Sequence, residues 1–282
     1  MIAVDLDGTL LNSRKRISEE DAEALRAAAA RGVEIVPVTG RNFNTALPIV
    51  QDLLTTGPLI SSNGAIIRSK TGETFLRNQL PGHIAAEVLR ATREFRPYTV
   101  LMYDQPGEGQ FRIEVAASGP GDQASPPDGV AASPWVRRFS AAVRFTDALE
   151  RELAGDPLEI MFAGPLNLMQ EVAGRLDGDP ASAATFRLLR TQYPAHNFSI
   201  LDVIREDCSK GHAIAYWSRF RGIARDEIMA IGDNFNDLEM LRFAGVPVVM
   251  GNAEECLKQE GWPVTLDCDS GGVARAIERF VL

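Results

Sequence analysis

The sequence predicts an α/β protein whose parallel-sheet core is interrupted by an inserted second domain. A strand, helix, strand pattern opens the chain in residues 2–38, and the same alternation returns between residues 210 and 282. The middle differs, because residues 107–134 are rich in Gly, Pro and Ser and short strand-like runs surround them. We therefore expect a discontinuous core formed by residues 1–81 and 198–282, with residues 82–197 inserted.

The first unit of the core is a predicted strand, helix and strand. Ile2–Val4 is a short apolar run, and Ser18 is a favourable helix N-cap before an apolar stripe that stops near Gly32. Val33–Val38 predicts a buried strand, in which Pro37 should occupy an edge or a strand end because proline cannot donate a ladder hydrogen bond. Parallel strands joined by one crossover helix send their carboxyl ends to the same sheet edge.

Polar residues follow three predicted strands at that common edge. Asp5 follows the first strand and Thr39 the second, while Asp233 follows the later apolar run Ile228–Ile231. Open α/β sheets bind ligands outside the carboxyl ends of their strands, so we expect these three side chains to line one crevice. Further strand and helix candidates of the core are Leu59–Ile60, Val246–Met250, Val264–Thr265, Ala213–Phe220, Ala253–Gln259 and Val273–Phe280.

The inserted segment has strand candidates of its own, which are Phe111–Val115, Leu158–Phe162 and Phe186–Leu189. Between the first two, Ser118–Pro134 is predicted to be a surface loop or hairpin, because strand-like sequence flanks it on both sides.

The composition excludes several classes of protein. The chain has 282 residues, 45% of them hydrophobic, with a formal net charge of -9 and a pI near 5.0, which disfavours a nucleic-acid binder. Its three cysteines fit neither a paired disulfide framework nor a zinc site. No secretory leader or long apolar run is visible, so we expect a soluble cytoplasmic protein without membrane partners.

Asp5 and Asp7 are two residues apart, a spacing that points both side chains to one face of a regular strand. Gly8 directly after them permits a tight turn that brings the backbone close to an anion. An aspartate can attack a phosphoryl group to form an acyl phosphate that water later hydrolyses, while a neighbouring carboxylate moves protons. The pattern therefore predicts Asp5 as the nucleophile and Asp7 as the acid/base.

Two anions that approach each other need positive charge, and Mg²⁺ accepts carboxylate, carbonyl and phosphate oxygens. We expect Asp5, the backbone carbonyl of Asp7 and Asp233 to hold Mg²⁺, with Asp237 supporting the metal or holding Lys210. The Thr39 hydroxyl, the Lys210 ammonium and nearby backbone amides would bind the phosphate. Arg41 reaches the substrate or forms a salt bridge within the core, and the sequence leaves both roles open.

Each of these features has a simpler explanation when taken alone. Asp-x-Asp-Gly is often a turn or a fragment of a calcium loop. The segment Asp233–Asp237 imitates part of an EF-hand, but Leu238 and Ala244 stand where that loop needs Gly and Glu. The three histidines are scattered and no Gly-x-Ser-x-Gly is present, so serine-hydrolase chemistry is disfavoured. The shared position of the motifs at one sheet edge favours the phosphate site.

The motifs Asp5–Leu10, Thr39–Arg41, Ser209–Gly211 and Gly232–Asp237 resemble, in this order, the four motifs of the haloacid dehalogenase superfamily. Asn63-Gly64-Ala65 and Met250-Gly251-Asn252-Ala253 are similar to two further signatures of its Cof-like sugar-phosphatase branch. The resemblance covers the sequence of the core, whereas the insertion matches the family only in its position along the chain. It implies a Rossmann-like core, an α/β cap domain that sets substrate specificity, and Mg²⁺-dependent hydrolysis of phosphate esters.

The resemblance also implies a role for Asn236 as a phosphate contact. With it, the predicted site residues are Asp5 and Asp7 for catalysis, Leu6, Thr39, Gly40, Arg41, Lys210 and Asn236 for phosphate binding, and Asp5, Asp7, Asp233 and Asp237 for the metal.

The expected activity is that of a Mg²⁺-dependent phosphatase, which forms an aspartyl phosphate on Asp5. The expected substrate is a small phosphate ester, with a sugar phosphate as the leading candidate. A phosphomutase of the phosphomannomutase type would use the same paired aspartates and return the phosphoryl group to the sugar. A receiver-type signalling domain also forms an aspartyl phosphate, but it is a single small domain without the large insertion. A binding protein without activity is disfavoured, because all four motifs retain their reactive side chains.

Overall fold

The computed structural model describes residues 1–53, 56–115, 129–177 and 185–282, and it divides the chain into two compact units. We call residues 1–77 with 208–282 the core unit, and residues 78–207 the inserted unit.

The strands of the described residues are β1 (Ile2–Asp5), β2 (Ile35–Val38), β3 (Leu59–Ser61), β4 (Ile66–Arg68), β5 (Thr74–Arg77), β6 (Thr99–Met102), β7 (Phe111–Glu114), β8 (Val143–Thr146), β9 (Glu159–Gly164), β10 (Phe186–Tyr193), β11 (Phe198–Arg205), β12 (Met229–Gly232) and β13 (Val246–Val249). The helices are α1 (Glu19–Ala30), α2 (Phe43–Val50), α3 (Gly82–Ala91), α4 (Pro134–Arg138), α5 (Leu166–Asp177), α6 (Lys210–Arg221), α7 (Leu238–Phe243), α8 (Glu255–Lys258) and α9 (Gly272–Phe280).

The core unit contains a seven-stranded sheet in the order β13-β12-β1-β2-β3-β4-β5. The five strands from β13 to β3 are parallel, whereas β4 and β5 are antiparallel additions at one edge. The predicted α/β fold with a parallel-sheet core is confirmed. The carboxyl ends of β1, β2 and β12 therefore emerge together, with Asp5, Thr39 and Asp233 at or directly after them.

Local sequence explains the first crossover of this sheet. The Ser18 hydroxyl accepts the Asp21 backbone N–H at 3.1 Å and caps α1, while Gly32 takes φ +81° just after the helix ends, as glycine readily does. Pro37 was expected at an edge or a strand end; β2 is an interior strand, and Pro37 is its next-to-last residue. It is tolerated there because the pairing of β2 with β3 is confined to Val38 and Ile60, one residue beyond the proline.

Both faces of the parallel sheet are buried, as strands with continuous apolar runs require. Ile2 and Val4 pack on the face covered by α1, α2 and α9, whereas Ala3 packs on the opposite face with α6 and α7. Because side chains alternate along a strand, Asp5 continues the Ala3 face. The carboxylate of Asp5 is thus directed toward the side on which α6 begins.

The inserted unit contains a six-stranded sheet in the order β10-β11-β9-β6-β7-β8, antiparallel except for the β7–β8 pair. It starts at Asn78, four residues before the predicted start at residue 82, and it ends at Asp207 rather than at residue 197. The placement of residues 198–207 in the core was wrong, because β11 pairs along its length with β10 and also with β9. The sequence reading also overlooked β6 and β8.

The predicted loop Ser118–Pro134 lies largely outside the described residues. Its described part contains a 3₁₀ turn at Gly129–Ala132 and the first residue of α4. Within the parts of the chain that the structure describes, no helix combines the length and the apolar character needed to cross a membrane.

Candidate active site

Lys210 is the buried centre of the candidate site. It is the first residue of α6, whose N-cap is Ser209, and its ammonium donates to Asp5 Oδ1 at 2.7 Å and to Asp237 Oδ1 at 2.6 Å. The Lys210 side chain is 1% exposed and that of Asp237 is fully buried. The other oxygen of Asp237 accepts the backbone N–H groups of Asp233 and Asn234 at 3.0 and 3.1 Å. Asp237 thus holds both Lys210 and the loop after β12.

Asp233 completes a group of three buried carboxylates. One oxygen each of Asp5, Asp233 and Asp237 lies within 4.8 Å of the others. The Thr9 hydroxyl donates to Asp233 Oδ1 at 3.0 Å, and a Cβ on Gly8, which has φ +85°, would lie 2.3 Å from Asp233 Oδ2. Glycine is therefore required at this turn both by the positive φ and by the close approach of the carboxylate.

The electrostatics of the three carboxylates favour a divalent cation. Three carboxylates and the one ammonium of Lys210 leave two uncompensated negative charges when all are ionised. Burial, and then the charge of Asp237, raises the pKa of Asp5 to about 7. Burial and the charge of Asp5 raise the pKa of Asp233 well above its ordinary value. An all-oxygen donor set with this charge fits Mg²⁺.

Lys210 remains a cation in this setting. Its burial alone would lower the pKa of the ammonium, but the adjacent charges of Asp237 and Asp5 raise that pKa above its ordinary value. The Lys210 charge is therefore a fixed part of the site near neutral pH.

Asp7 lies outside the three-carboxylate cluster and is held by two cations. Arg41 donates to it from Nε at 2.5 Å and from a terminal nitrogen at 2.6 Å, and Lys15 Nζ donates at 3.0 Å. Burial would raise the pKa of Asp7, but Arg41 and then Lys15 outweigh burial and lower that pKa to about 2. Of the two roles left open for Arg41, the structure shows the salt bridge. The Asp7 side chain is turned to these cations, so only its backbone carbonyl remains for the predicted metal contact.

The predicted phosphate donors lie around the ends of β2 and β12. Thr39 is buried, and its hydroxyl oxygen accepts the Arg41 backbone N–H at 3.1 Å, which leaves the hydroxyl proton for donation. Asn236 lies in the turn after β12 and donates from Nδ2 to Asn63 Oδ1 at 3.1 Å. Gly40 lies against the same Asn63 oxygen. The side chain of Leu6 belongs to the hydrophobic core, so only its backbone can contact a ligand.

A family model described as haloacid dehalogenase-like hydrolase matches residues 2–277 of the chain. The protein belongs to this family of hydrolases. The superfamily predicted from the four motifs is thereby confirmed.

Two curated relatives that align with this hydrolase over nearly their whole length are named phosphatases. Phosphatase YwpJ of Bacillus subtilis is 28% identical and the alignment covers 100% of this chain and 99% of the relative. The HMP-PP phosphatase of Serratia proteamaculans is 29% identical, with 100% and 95% covered. The predicted enzyme class, a phosphoric monoester hydrolase of the Cof-like type, agrees with these relatives.

Solved structures give the same fold. A haloacid dehalogenase-like hydrolase from Bacteroides thetaiotaomicron matches this hydrolase with a TM-score of 0.76 at 27% identity, over 99% of this chain and 98% of that chain. The match spans both units, so the core sheet and the inserted sheet each have a counterpart within one known hydrolase architecture.

Four residues of the hydrolase site were not assigned from the sequence. Thr9 contacts Asp233, Lys15 contacts Asp7, Asn63 contacts Asn236, and Asn252 donates from Nδ2 to the Gly8 carbonyl oxygen at 2.8 Å. Thr9, Asn63 and Asn252 lie within motifs that resemble the family signatures, but the resemblance did not assign a role to any of these three residues. Lys15 had no signal, because its position depends on the loop after Leu11.

Proposed function

We propose that this hydrolase is a Mg²⁺-dependent phosphatase that removes phosphate from a small metabolite through an aspartyl phosphate on Asp5. A sugar phosphate is the leading candidate for the substrate. The observation that carries the proposal is the buried contact of Lys210 with Asp5 and Asp237, with Asp233 beside them. A carboxylate at the end of a strand, with a fixed cation and an oxygen-lined metal position, is suited to attack on an anionic phosphoryl group.

The first step forms a bond between an Asp5 carboxylate oxygen and phosphorus and breaks the bond from phosphorus to the alcohol oxygen. Asp7 gives its proton to that leaving oxygen. In the second step Asp7 takes a proton from water, the water oxygen bonds to phosphorus, and the bond to Asp5 breaks. The sum is one phosphate ester and one water converted to one alcohol and one inorganic phosphate, with both aspartates restored.

The residues of this chain prepare both steps. Lys210 and the Thr39 hydroxyl lie where phosphate oxygens would gather charge, and the Asn236 amide and the Gly40 backbone would complete the donors. Asp5, Asp233 and the Asp7 carbonyl would hold Mg²⁺, with Asp237 as support. The bound ion would neutralise the phosphate charge that otherwise repels the Asp5 carboxylate.

Arg41 controls when Asp7 can hold a proton. With Arg41 and Lys15 in contact, Asp7 is ionised at neutral pH and is ready to act as the base of the second step. Asp7 can donate a proton in the first step only if its ion pairs with Arg41 and Lys15 weaken, because these cations favour the ionised carboxylate. Transfer of the Arg41 guanidinium to the arriving phosphate would provide this weakening, and would unite the two roles that the sequence leaves open.

The proposal is tested with a panel of phosphate esters that includes aldose phosphates and HMP-PP, assayed for phosphate release with Mg²⁺ and after chelation. We expect release that depends on Mg²⁺, and a loss of about a thousandfold or more in kcat for Asp5→Asn. Asp226→Asn, which changes an exposed aspartate of the core unit, is the matched control and should keep full activity.

An Asp5→Asn variant with full activity, or a panel without phosphate release, would refute the proposal. Analysis of the organic product separates the alternatives: an alcohol with free phosphate indicates the phosphatase, whereas an isomeric phosphate ester indicates the mutase. A phosphoaspartate that persists for many minutes would instead indicate the signalling role.

A further inference from the structure

The turn Ser62–Gly64 has an unusual backbone at the carboxyl end of β3. Ser62, Asn63 and Gly64 have φ values of +47°, +52° and +97° in succession. Within the described parts of the chain, four residues other than glycine have positive φ, and two of them are adjacent in this turn. Left-handed backbone at such residues is costly and persists where the surroundings enforce it, often at functional sites. The buried Ser62 hydroxyl also has no hydrogen-bond partner among the described residues.

Backbone contacts tie this turn to two loops of the site. The Ser62 N–H donates to the Arg41 carbonyl at 2.8 Å, and the Asn63 N–H donates to the Thr39 carbonyl at 3.1 Å. On the other side, a Cβ on Gly64 would lie 2.2 Å from the backbone oxygen of Ser209, the residue before Lys210. The turn therefore lies between the loop after β2 and the start of α6.

The Asn63 side chain makes a third connection. It is 1% exposed, and its Oδ1 accepts the Asn236 Nδ2 at 3.1 Å. A Cβ on Gly40 would approach the same Oδ1 to 2.9 Å, closer than real Cβ contacts allow. An asparagine amide has two N–H donors on one end and an acceptor on the other. With one Nδ2 proton committed to Asn63, the other proton of Asn236 remains for an anion.

We propose that Asn63, which lies against Gly40, is a positioning residue that acts through Asn236 to present a donor to the phosphate group. The inference rests on the proposed phosphatase function, because it assigns Asn63 to the phosphate-binding part of that site. Asparagine suits the position twice over, since it tolerates left-handed backbone better than most residues and supplies the acceptor that orients Asn236.

The test is a double-mutant cycle made of Asn63→Gly, Asn236→Ala and both together, with kcat, KM and the inhibition constant of orthophosphate as readouts. Glycine keeps the left-handed backbone and removes only the amide. Asn197→Gly is the matched control, because Asn197 is also left-handed, with φ +46°, but lies in the inserted unit. We expect no change in the three constants for this control.

We expect Asn63→Gly to raise KM and the orthophosphate inhibition constant by about tenfold, with a smaller change in kcat. The double variant should match Asn236→Ala within about twofold. Losses that multiply instead would show that Asn63 does not act through Asn236, and an Asn63→Gly variant with wild-type constants would equally overturn the proposal.

Gly40→Ala keeps the test decisive if Asn63→Gly does not fold. The new methyl group would displace the Asn63 amide, so the orthophosphate constant should again rise by about tenfold, and an unchanged constant would overturn the proposal. A wild-type protein that hydrolyses no phosphate ester would refute the proposed function instead. In that case orthophosphate affinity, measured by calorimetry on the same variants, still decides whether Asn63 positions the donor.

Discussion

Single residues of the site illustrate how function opposes stability. Three buried carboxylates share one buried ammonium, and the raised pKa values of Asp5 and Asp233 reflect the unfavourable burial and mutual repulsion of these charges. Charges that are buried without full compensation destabilise a fold, and sites of this kind gain stability when a cation binds. The same repulsion would provide the attraction for the Mg²⁺ that we propose for this site.

Asp233→Asn tests this balance by removing one charge while keeping an oxygen for the Thr9 hydroxyl. In metal-free protein at pH 8, we expect the variant to have a Tm about 2–4 °C above wild type, or roughly 1 kcal/mol, because like-charge repulsion is relieved. With saturating Mg²⁺ the order should reverse, since wild type gains about 2.7 kcal/mol at a hundred times its Kd and the variant binds the ion weakly. Thermal unfolding with EDTA and with Mg²⁺ measures both.

The pH dependence of the metal-free difference has a defined sign. The pKa of Asp5 is raised from 3.8 to about 7, so its ionisation destabilises the folded wild type above pH 7. As the pH falls through 7 toward 4, Asp5 takes up a proton in the folded state and the repulsion from Asp233 disappears. The stability advantage of Asp233→Asn should shrink over that window. An advantage that grows on acidification would contradict the assignment.

At the scale of elements, the sheet edge was predictable and the contacts across it were not. Ser18, the apolar period of α1 and the glycine after it define the first helix locally, so β1, α1 and β2 followed from short-range sequence. Asp5, Thr39 and Asp233 then lie at one sheet edge because the three strands that precede them are parallel. The bidentate contact of Arg41 with Asp7 depends on two loop conformations and on side-chain direction, which no sequence period encodes.

The errors in the inserted unit have a related cause. Residues 198–207 were assigned to the core, but eight of them form β11 of the inserted unit. The sequence of β11 alone does not show whether the strand pairs with β10 or with a strand of the core. Antiparallel pairing of β10 with β11 across a short connection decides the matter in the folded protein. Pro37 lies next to the carboxyl end of β2, and this interior strand has room for it because β2 pairs with β3 at only one position.

Gly64 and Gly72 have similar backbone conformations, so substitutions at the two positions distinguish the cost of backbone strain from the cost of a steric clash. Gly64 and Gly72 have φ values of +97° and +100°, but only Gly64 has a backbone atom within reach of an added Cβ. We expect Gly72→Ala to cost about 1–2 kcal/mol through left-handed strain alone. Gly64→Ala should cost about 1–3 kcal/mol more, and should also lower kcat, because the methyl group displaces Ser209 and with it the start of α6.

Urea unfolding of the two variants, with kcat measured in parallel, checks this expectation. Equal destabilisation would mean that α6 adjusts freely to the turn. A Gly64→Ala variant with wild-type kcat would show that Lys210 does not depend on the position of Ser209.

At the scale of the whole molecule, the core sheet closes only when the chain returns from the insertion. β1 lies between β2, which precedes the inserted unit, and β12, which follows it. Ile2 pairs with Ile35 on one side and with Met229 on the other. The site has the same dependence, because Asp5 comes from the first segment and Lys210, Asp233 and Asp237 come from the second. All residues assigned to phosphate chemistry thus belong to the core unit.

The resemblance to the haloacid dehalogenase superfamily implies that the inserted unit sets substrate specificity, and a cavity in this unit offers a test. The inserted unit has a surface cavity of about 340 Å³ lined largely by apolar and aromatic side chains, among them Tyr98, Trp135 and Phe198. Cavities of this size hold small ligands.

Phe198→Ala should change the ratio of kcat/KM between an aldose phosphate and an aromatic phosphate ester by about threefold to tenfold, with the orthophosphate inhibition constant unchanged within about twofold. Phe145→Ala is the matched control, because Phe145 is also an exposed strand phenylalanine of this unit, with 51% exposure against 36% for Phe198, and does not line the cavity. Equal ratios for the two variants would remove this cavity from the choice of substrate, whereas a changed orthophosphate constant would mean that Phe198 acts on the phosphate chemistry itself.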